Sequence, residues 1–277
     1  MSSRGIAPHT DPARRAFAKV PEITVLFWVV KILTTAMGES TSDFLNQELG
    51  PVIAVPIMLI LLGVALRLQF RAKRYVAWTY WLVVVAVAVF GTSAADALHV
   101  VLGIPYLIST SFYLVVLAAI LTAWYTSERT LSIHSIYTPR RETFYWATVL
   151  ATFALGTAAG DLTATSMHLG FFASGVMFAA WIAVPAVAYL RFGVNEVLTF
   201  WFAYILTRPL GASFADWLAV TPHNGGLNLT TGPVSVTLTI LIVAFVGYLT
   251  VTRVDVPGEQ HAVAHVDHRA ILAAELD

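Results

Sequence analysis

The chain has 277 residues, of which 58% are hydrophobic and only 12% charged, with a mean hydropathy of +0.75; soluble domains carry roughly 25% charged residues. Lys+Arg and Asp+Glu both number 16, so the formal net charge is zero and there is no basic excess to neutralise phosphates. A soluble enzyme, a disordered chain and a nucleic-acid binder are thereby excluded. The absence of cysteine removes disulfides, Cys-ligated zinc and iron–sulfur clusters. What remains is an integral membrane protein whose first partner is the lipid bilayer.

Residues 1–21 carry charges but no apolar core, which makes them a tail rather than a signal peptide. Eight apolar runs follow, near 22–46, 51–69, 75–100, 104–126, 142–167, 171–190, 196–219 and 233–252. Each is close to the ~20 residues that cross hydrocarbon as a helix. They lack the two-residue alternation of a barrel, so the expected fold is an all-α bundle of eight transmembrane helices. Residues 253–277 form a polar C-terminal tail. Its His261, His265 and His268 share one helical face, either a metal-binding face or a solvated amphipathic one.

Every basic residue outside the spans falls at one end of this topology. Arg4, Arg14, Arg15 and Lys19 precede the first span; Arg67, Arg71, Lys73 and Arg74 separate the second and third. Arg129, Arg140 and Arg141 follow the fourth, Arg191 the sixth, and Arg253 and Arg269 the eighth. Cytoplasmic loops carry the Lys/Arg excess, which places both termini in the cytoplasm. Lys31 and Arg208 are the two basic residues inside spans.

Self-comparison reveals four copies of one pattern: aromatic, Trp, nine residues, Gly, four residues, Asp. They read Phe27-Trp28, Gly38, Asp43; Tyr80-Trp81, Gly91, Asp96; Tyr145-Trp146, Gly156, Asp161; and Phe200-Trp201, Gly211, Asp216. Every Asp between residues 22 and 252 occupies this one position. The units cover about 19–70, 74–126, 141–191 and 195–252, each a motif-bearing helix followed by a plainer apolar one. Two spans return the chain to its starting side, so the units insert in parallel around an axis along the membrane normal.

Trp and Asp lie about 22 Å apart along a helix and differ by only about 60° in direction. Each motif helix is therefore expected to present Trp near the basic end and Asp near the other, on one face. Small residues around each Gly permit close helix approach, which places the motif helices at the centre and the plainer ones outside.

On this pattern the chain resembles a family of bacterial membrane proteins built from four tandem two-helix repeats of unknown function with a recurrent tryptophan. The resemblance spans about residues 19–252, and KVPEITVLFWVVKILTTAMGESTSDF is similar to the family's opening repeat. It implies a multi-pass protein of the bacterial cytoplasmic membrane and no particular activity.

Function must then be read from ionisable residues inside the spans, which face cavities, pair with each other or handle ions. Asp43, Asp96, Asp161, Asp216 and Glu39 stand against Lys31 and Arg208, an acidic excess that suits a cation or proton site. The alternative is that each Asp is structural, accepting hydrogen bonds from Ser, Thr or backbone amides. Lys31 and Arg208 are expected to partner carboxylates, and the Trp set to pack or anchor. His99, three residues past Asp96, and His168, seven past Asp161, are possible metal ligands together with His223; an oxygen–imidazole set suits Mn, Fe, Co or Zn. Glu22, Glu142 and Glu196 open motif helices, where a negative charge suits the helix dipole.

No metalloprotease, nucleophile-elbow or phosphate-loop motif is present, so the chain is not expected to be an enzyme. The leading expectation is a transporter or channel-like protein for a small cation, a divalent metal or a proton-coupled solute. The alternatives are a redox or cofactor protein using His99, His168 and His223, and a structural membrane protein. The cofactor and the oligomeric state are not readable from the sequence.

Overall fold

Polar caps, glycines and prolines divide the apolar sequence into helices. A computed structural model describes residues 17–100 and 102–257. Among them are eight long helices: α1 (Val25–Leu49), α2 (Pro51–Arg71), α3 (Ala77–Val100), α4 (Tyr106–Glu128), α5 (Pro139–Asp161), α6 (Phe171–Phe192), α7 (Glu196–Ala219) and α8 (Thr231–Thr252). Thr24 caps α1, its hydroxyl oxygen accepting from the Phe27 amide at 3.3 Å. Gly50, at φ 73°, ends α1, and Pro51 opens α2 with no amide hydrogen left unpaired. Asn195 caps α7 by accepting from the amides of Val197 and Leu198.

Six of these helices are long and apolar enough to cross a membrane: α2, α3, α4, α6, α8, and α5 together with the turn that follows it. The eight expected spans are all present as helices, but α1 and α7 do not reach that apolar standard by composition. Both bury many of their polar residues. Helix α1 turns Lys31, Thr34, Thr35, Glu39, Ser40 and Ser42 inward, and α7 does the same with Thr207, Arg208, Ser213 and Asp216.

Burial separates two layers. In α2, α4, α6 and α8 only 22% of the most apolar stretch is buried, against 56% in α3 and 67% in α5. The motif helices pack in a closed circuit, α1 on α3, α3 on α5, α5 on α7 and α7 on α1. Each plain helix packs chiefly on the motif helix of the following unit, α2 on α3, α4 on α5, α6 on α7 and α8 on α1. A repeat that cannot bury its own apolar face borrows its neighbour's, and here the last unit returns to the first.

The same hand-over recurs in side chains. The aromatic of each unit meets the Trp of the next: Phe27–Trp81 at 5.8 Å, Tyr80–Trp146 at 5.5 Å, Tyr145–Trp201 at 6.2 Å and Phe200–Trp28 at 5.8 Å between ring centroids. Each motif glycine faces the next motif helix with no room for a Cβ. Gly38 lies on Ala88, Gly91 on Phe153, Gly156 on Arg208 and Pro209, and Gly211 on Thr35 and Ala36. The tryptophans therefore take the interfaces between motif helices. Trp81, Trp146 and Trp201 are buried there and Trp28 is half-buried.

At the basic end the short segments interlock. The Lys19 amide donates to the Ile136 carbonyl, the Tyr75 amide to Ala18 and the Glu22 amide to Asp255. Residues 18–21 are buried, so the packed body begins within the stretch expected to be tail. His261, His265 and His268 lie outside the described residues.

Candidate cation site

The interior of the bundle follows rows of positions four residues apart, one of the ridges along which helices interlock. The rows are 27, 31, 35, 39, 43; 80, 84, 88, 92, 96; 145, 149, 153, 157, 161; and 200, 204, 208, 212, 216. All but three of these residues are buried, and the three half-buried ones are Asp43, Asp96 and Asp161 at the acidic end. One step along a row is about 6 Å of rise. From the basic end the rows begin with aromatics, where the Tyr80 and Tyr145 hydroxyls pair at 2.5 Å.

Lys31 occupies the next position. Its Nζ is buried and has no hydrogen-bond partner among the described residues, lying 4.0 Å from the Phe153 ring centre and 4.3 Å from that of Tyr204. The expected carboxylate partner is absent among the described residues: the Phe153 and Tyr204 faces lie against the amine, and the nearest acidic member of its own row, Glu39, is two steps away.

Arg208 does find its partner. Fully buried, its guanidinium donates through Nη2 to Glu39, Thr92 and Thr157 and through Nη1 to the Thr35 carbonyl at 3.4 Å. Glu39, Thr92 and Thr157 hold the same place in three successive units, eleven residues past the Trp; in the fourth unit that place is Ala212. One arginine from the fourth unit thus bonds side chains of the other three.

The last position in each row is the repeat aspartate. Glu39, Asp43 and Asp216 each offer a carboxylate oxygen, all within 4.8 Å of one another. Asp96 and Asp161 lie within coulombic reach of this group, and Arg208 is the cation common to all four aspartates. Among the described residues no Ser, Thr or backbone amide donates to any of the four Asp carboxylates. The hydroxyls nearby are engaged elsewhere: Ser42 with Ser93 at 2.6 Å, Thr41 with Ser235 at 2.5 Å, and Thr165 with the Asp161 carbonyl at 2.6 Å.

The histidines do not join this group. Nδ1 of His99 meets the Ile104 carbonyl at 2.9 Å while its ring stacks on Tyr106 at 3.7 Å, tying it to the turn before α4. A π-helical turn over Leu162–Ser166 follows α5 and ends the α-helical register, so His168 loses its alignment with Asp161 and lies exposed at φ 57°. His223 is exposed in the 3-10 turn Pro222–Asn224. The donor set brought together is all oxygen, which favours hard cations such as Mg, Ca and Mn over the softer metals an imidazole would attract.

A second ionic network, unforeseen in the sequence, closes the basic end. The Glu142 carboxylate is buried, taking Lys19 Nζ at 2.6 Å on one oxygen and Gln69 Nε2 at 3.1 Å on the other. Its role is thus a tertiary ion pair as well as a helix-opening charge. Glu22 and Glu196 flank His134 at 3.9 and 3.6 Å. The unequal offsets of these glutamates from their tryptophans were the available signal that they are not one repeated device. Beside this network the Tyr75 hydroxyl donates to Asp255. Burial pushes the Asp255 carboxyl above its usual range, against the pull of that hydrogen bond, and burial with the neighbouring Asp255 pushes the Tyr75 hydroxyl up.

No curated protein and no solved structure matches the chain. A family described as a Repeat of Unknown Function (DUF347) matches it four times in tandem, over residues 26–75, 79–130, 144–195 and 199–255. These matches take in all four Trp–Gly–Asp units and most of the described helices, and the chain belongs to the DUF347 repeat family.

Proposed function

We propose that this protein is a multi-pass membrane transporter for a small cation, not an enzyme, with the aspartate positions as the binding site. The observation that carries this reading is the convergence of Glu39, Asp43 and Asp216 oxygens within 4.8 Å, beside aspartates that accept no hydrogen bond from the described residues. A structural aspartate would be expected to hold a Ser, Thr or amide donor. Carboxylates crowded without donors are instead stabilised by a bound cation. An all-oxygen donor set makes a hard divalent ion the preferred cargo.

The bulky buried side chains below this position, with Lys31 and Arg208 among them, argue for a gated carrier over an open channel. In this reading the four units surround an axis along the membrane normal. The lysine- and arginine-rich loops and both termini face the cytoplasm, and the acidic end opens outward from a bacterial cytoplasmic membrane.

The test replaces Asp96 and Asp161 by Asn and measures divalent-metal accumulation in cells expressing either form. Loss of metal-dependent accumulation is expected; unaltered flux and unaltered metal sensitivity would sink the proposal.

A further inference from the structure

Glu39 stands in two relationships at once. Its Oε2 accepts from the buried Arg208 guanidinium, and one of its oxygens belongs to the close group with Asp43 and Asp216. Asp216 is nine-tenths buried, has no hydrogen-bond partner among the described residues, and is aimed at that group. A guanidinium stays protonated under all ordinary conditions, so Arg208 cannot leave Glu39 by losing its charge. An arriving cation and Arg208 therefore draw on the same carboxylate.

Resting on the cation-site reading above, we propose that Arg208 is a tethered counter-cation: it holds Glu39 while the site is empty, and a bound divalent cation takes Glu39 from it. The remaining acceptors of Nη2, Thr92 and Thr157, lie on α3 and α5 while Glu39 lies on α1. Releasing Glu39 thus leaves the arginine's hold on α1 to the Thr35 carbonyl alone, at 3.4 Å, while its bonds to α3 and α5 stay. Occupancy of the site is felt across the helix circuit, and the competing charge keeps affinity low enough for release. Binding and the arginine contact are linked, so each weakens the other by the same factor.

The experiment titrates the full-length protein in lipid nanodiscs with Mn2+ alone, following free Mn2+ by its paramagnetic resonance. Arg208→Gln is expected to bind Mn2+ about tenfold more tightly than the wild type, a typical coupling factor. Arg208→Lys keeps the charge on a shorter side chain with a more strongly hydrated ammonium, and is expected to tighten binding by a smaller factor. Should Arg208→Gln fail to fold, Arg208→Lys decides. Binding no tighter than wild type in the folded Arg208 variants overturns the counter-cation role.

A double variant, Asp43→Asn with Asp216→Asn, tests the underlying site separately. It is expected to lose Mn2+ binding. If it binds like the wild type, the site reading fails whatever the Arg208 variants do. Absence of Mn2+ binding in the wild type and both Arg208 variants overturns both.

Discussion

Two buried carboxylates, Glu142 and Glu39, each meet one cation, yet their surroundings differ in kind. Glu142 has both oxygens engaged, by Lys19 and Gln69, in a closed network joining the N-terminal segment, α2 and α5. Glu39 uses one oxygen toward Arg208 and Thr92, and its neighbours toward the acidic end are four aspartates that take no donor from the described residues. The same residue types serve fastening in one place and an unsatisfied charge cluster in the other. The difference teaches that satisfaction, not burial alone, separates a structural carboxylate from a candidate ligand.

Substitutions separate the two kinds of carboxylate. Both regions depend on the helix circuit, so Gly211→Val should have the largest effect. The added branches would run into Thr35 and Ala36, and most protein should be lost as aggregate in size-exclusion chromatography after detergent extraction. Glu142→Ala leaves Lys19 buried without its partner and should lower unfolding stability by about 3–5 kcal/mol, measured by chemical denaturation in detergent. Asp96→Asn with Asp161→Asn should behave oppositely: the melting temperature holds or rises because like charges are removed, while Mn2+ binding falls. A marked loss of stability there would assign the aspartates to the same class as Glu142.

A smaller effect concerns pH. Because the Asp255 carboxyl is raised in the folded state, the folded chain holds its proton above the usual carboxylate range. Its contribution to stability is full at lower pH and declines as pH rises from the ordinary carboxylate value through the raised one. Asp255→Asn should flatten that part of the profile of melting temperature against pH. Smallest of all, Gly63→Ala in α2 meets no atom within 4 Å and should change stability by only about 0.5 kcal/mol, within the range of a helix Gly→Ala exchange.

Much of the fold was legible because lipid imposes long apolar helices and because the repeat shows itself four times. The expected helix limits lie within a few residues of those observed, and the inner and outer assignments follow from small residues beside the motif glycines. The site was legible only in part. Arg208 and the aspartates stand out as charges in apolar runs, but Thr92 and Thr157 do not, although they share Glu39's place in the repeat. Aligning the units column by column, instead of marking charges, would have exposed them. Lys19 looked like one more tail charge because its partners, Gln69 and Glu142, are distant in the chain.

Lys31 marks the limit of charge counting: a lone cation among carboxylates suggests a pair, whereas packing sets its amine between Phe153 and Tyr204. The histidines teach the same lesson, since a π-turn and exposed loops carry them out of register with the aspartates. Eight helices, four units and one acidic position per unit are written in the chain, because hydropathy and repetition act locally along it. Which charges meet depends on packing, because the closure of α7 and α8 onto α1 brings Arg208 to Glu39 across 169 positions of sequence.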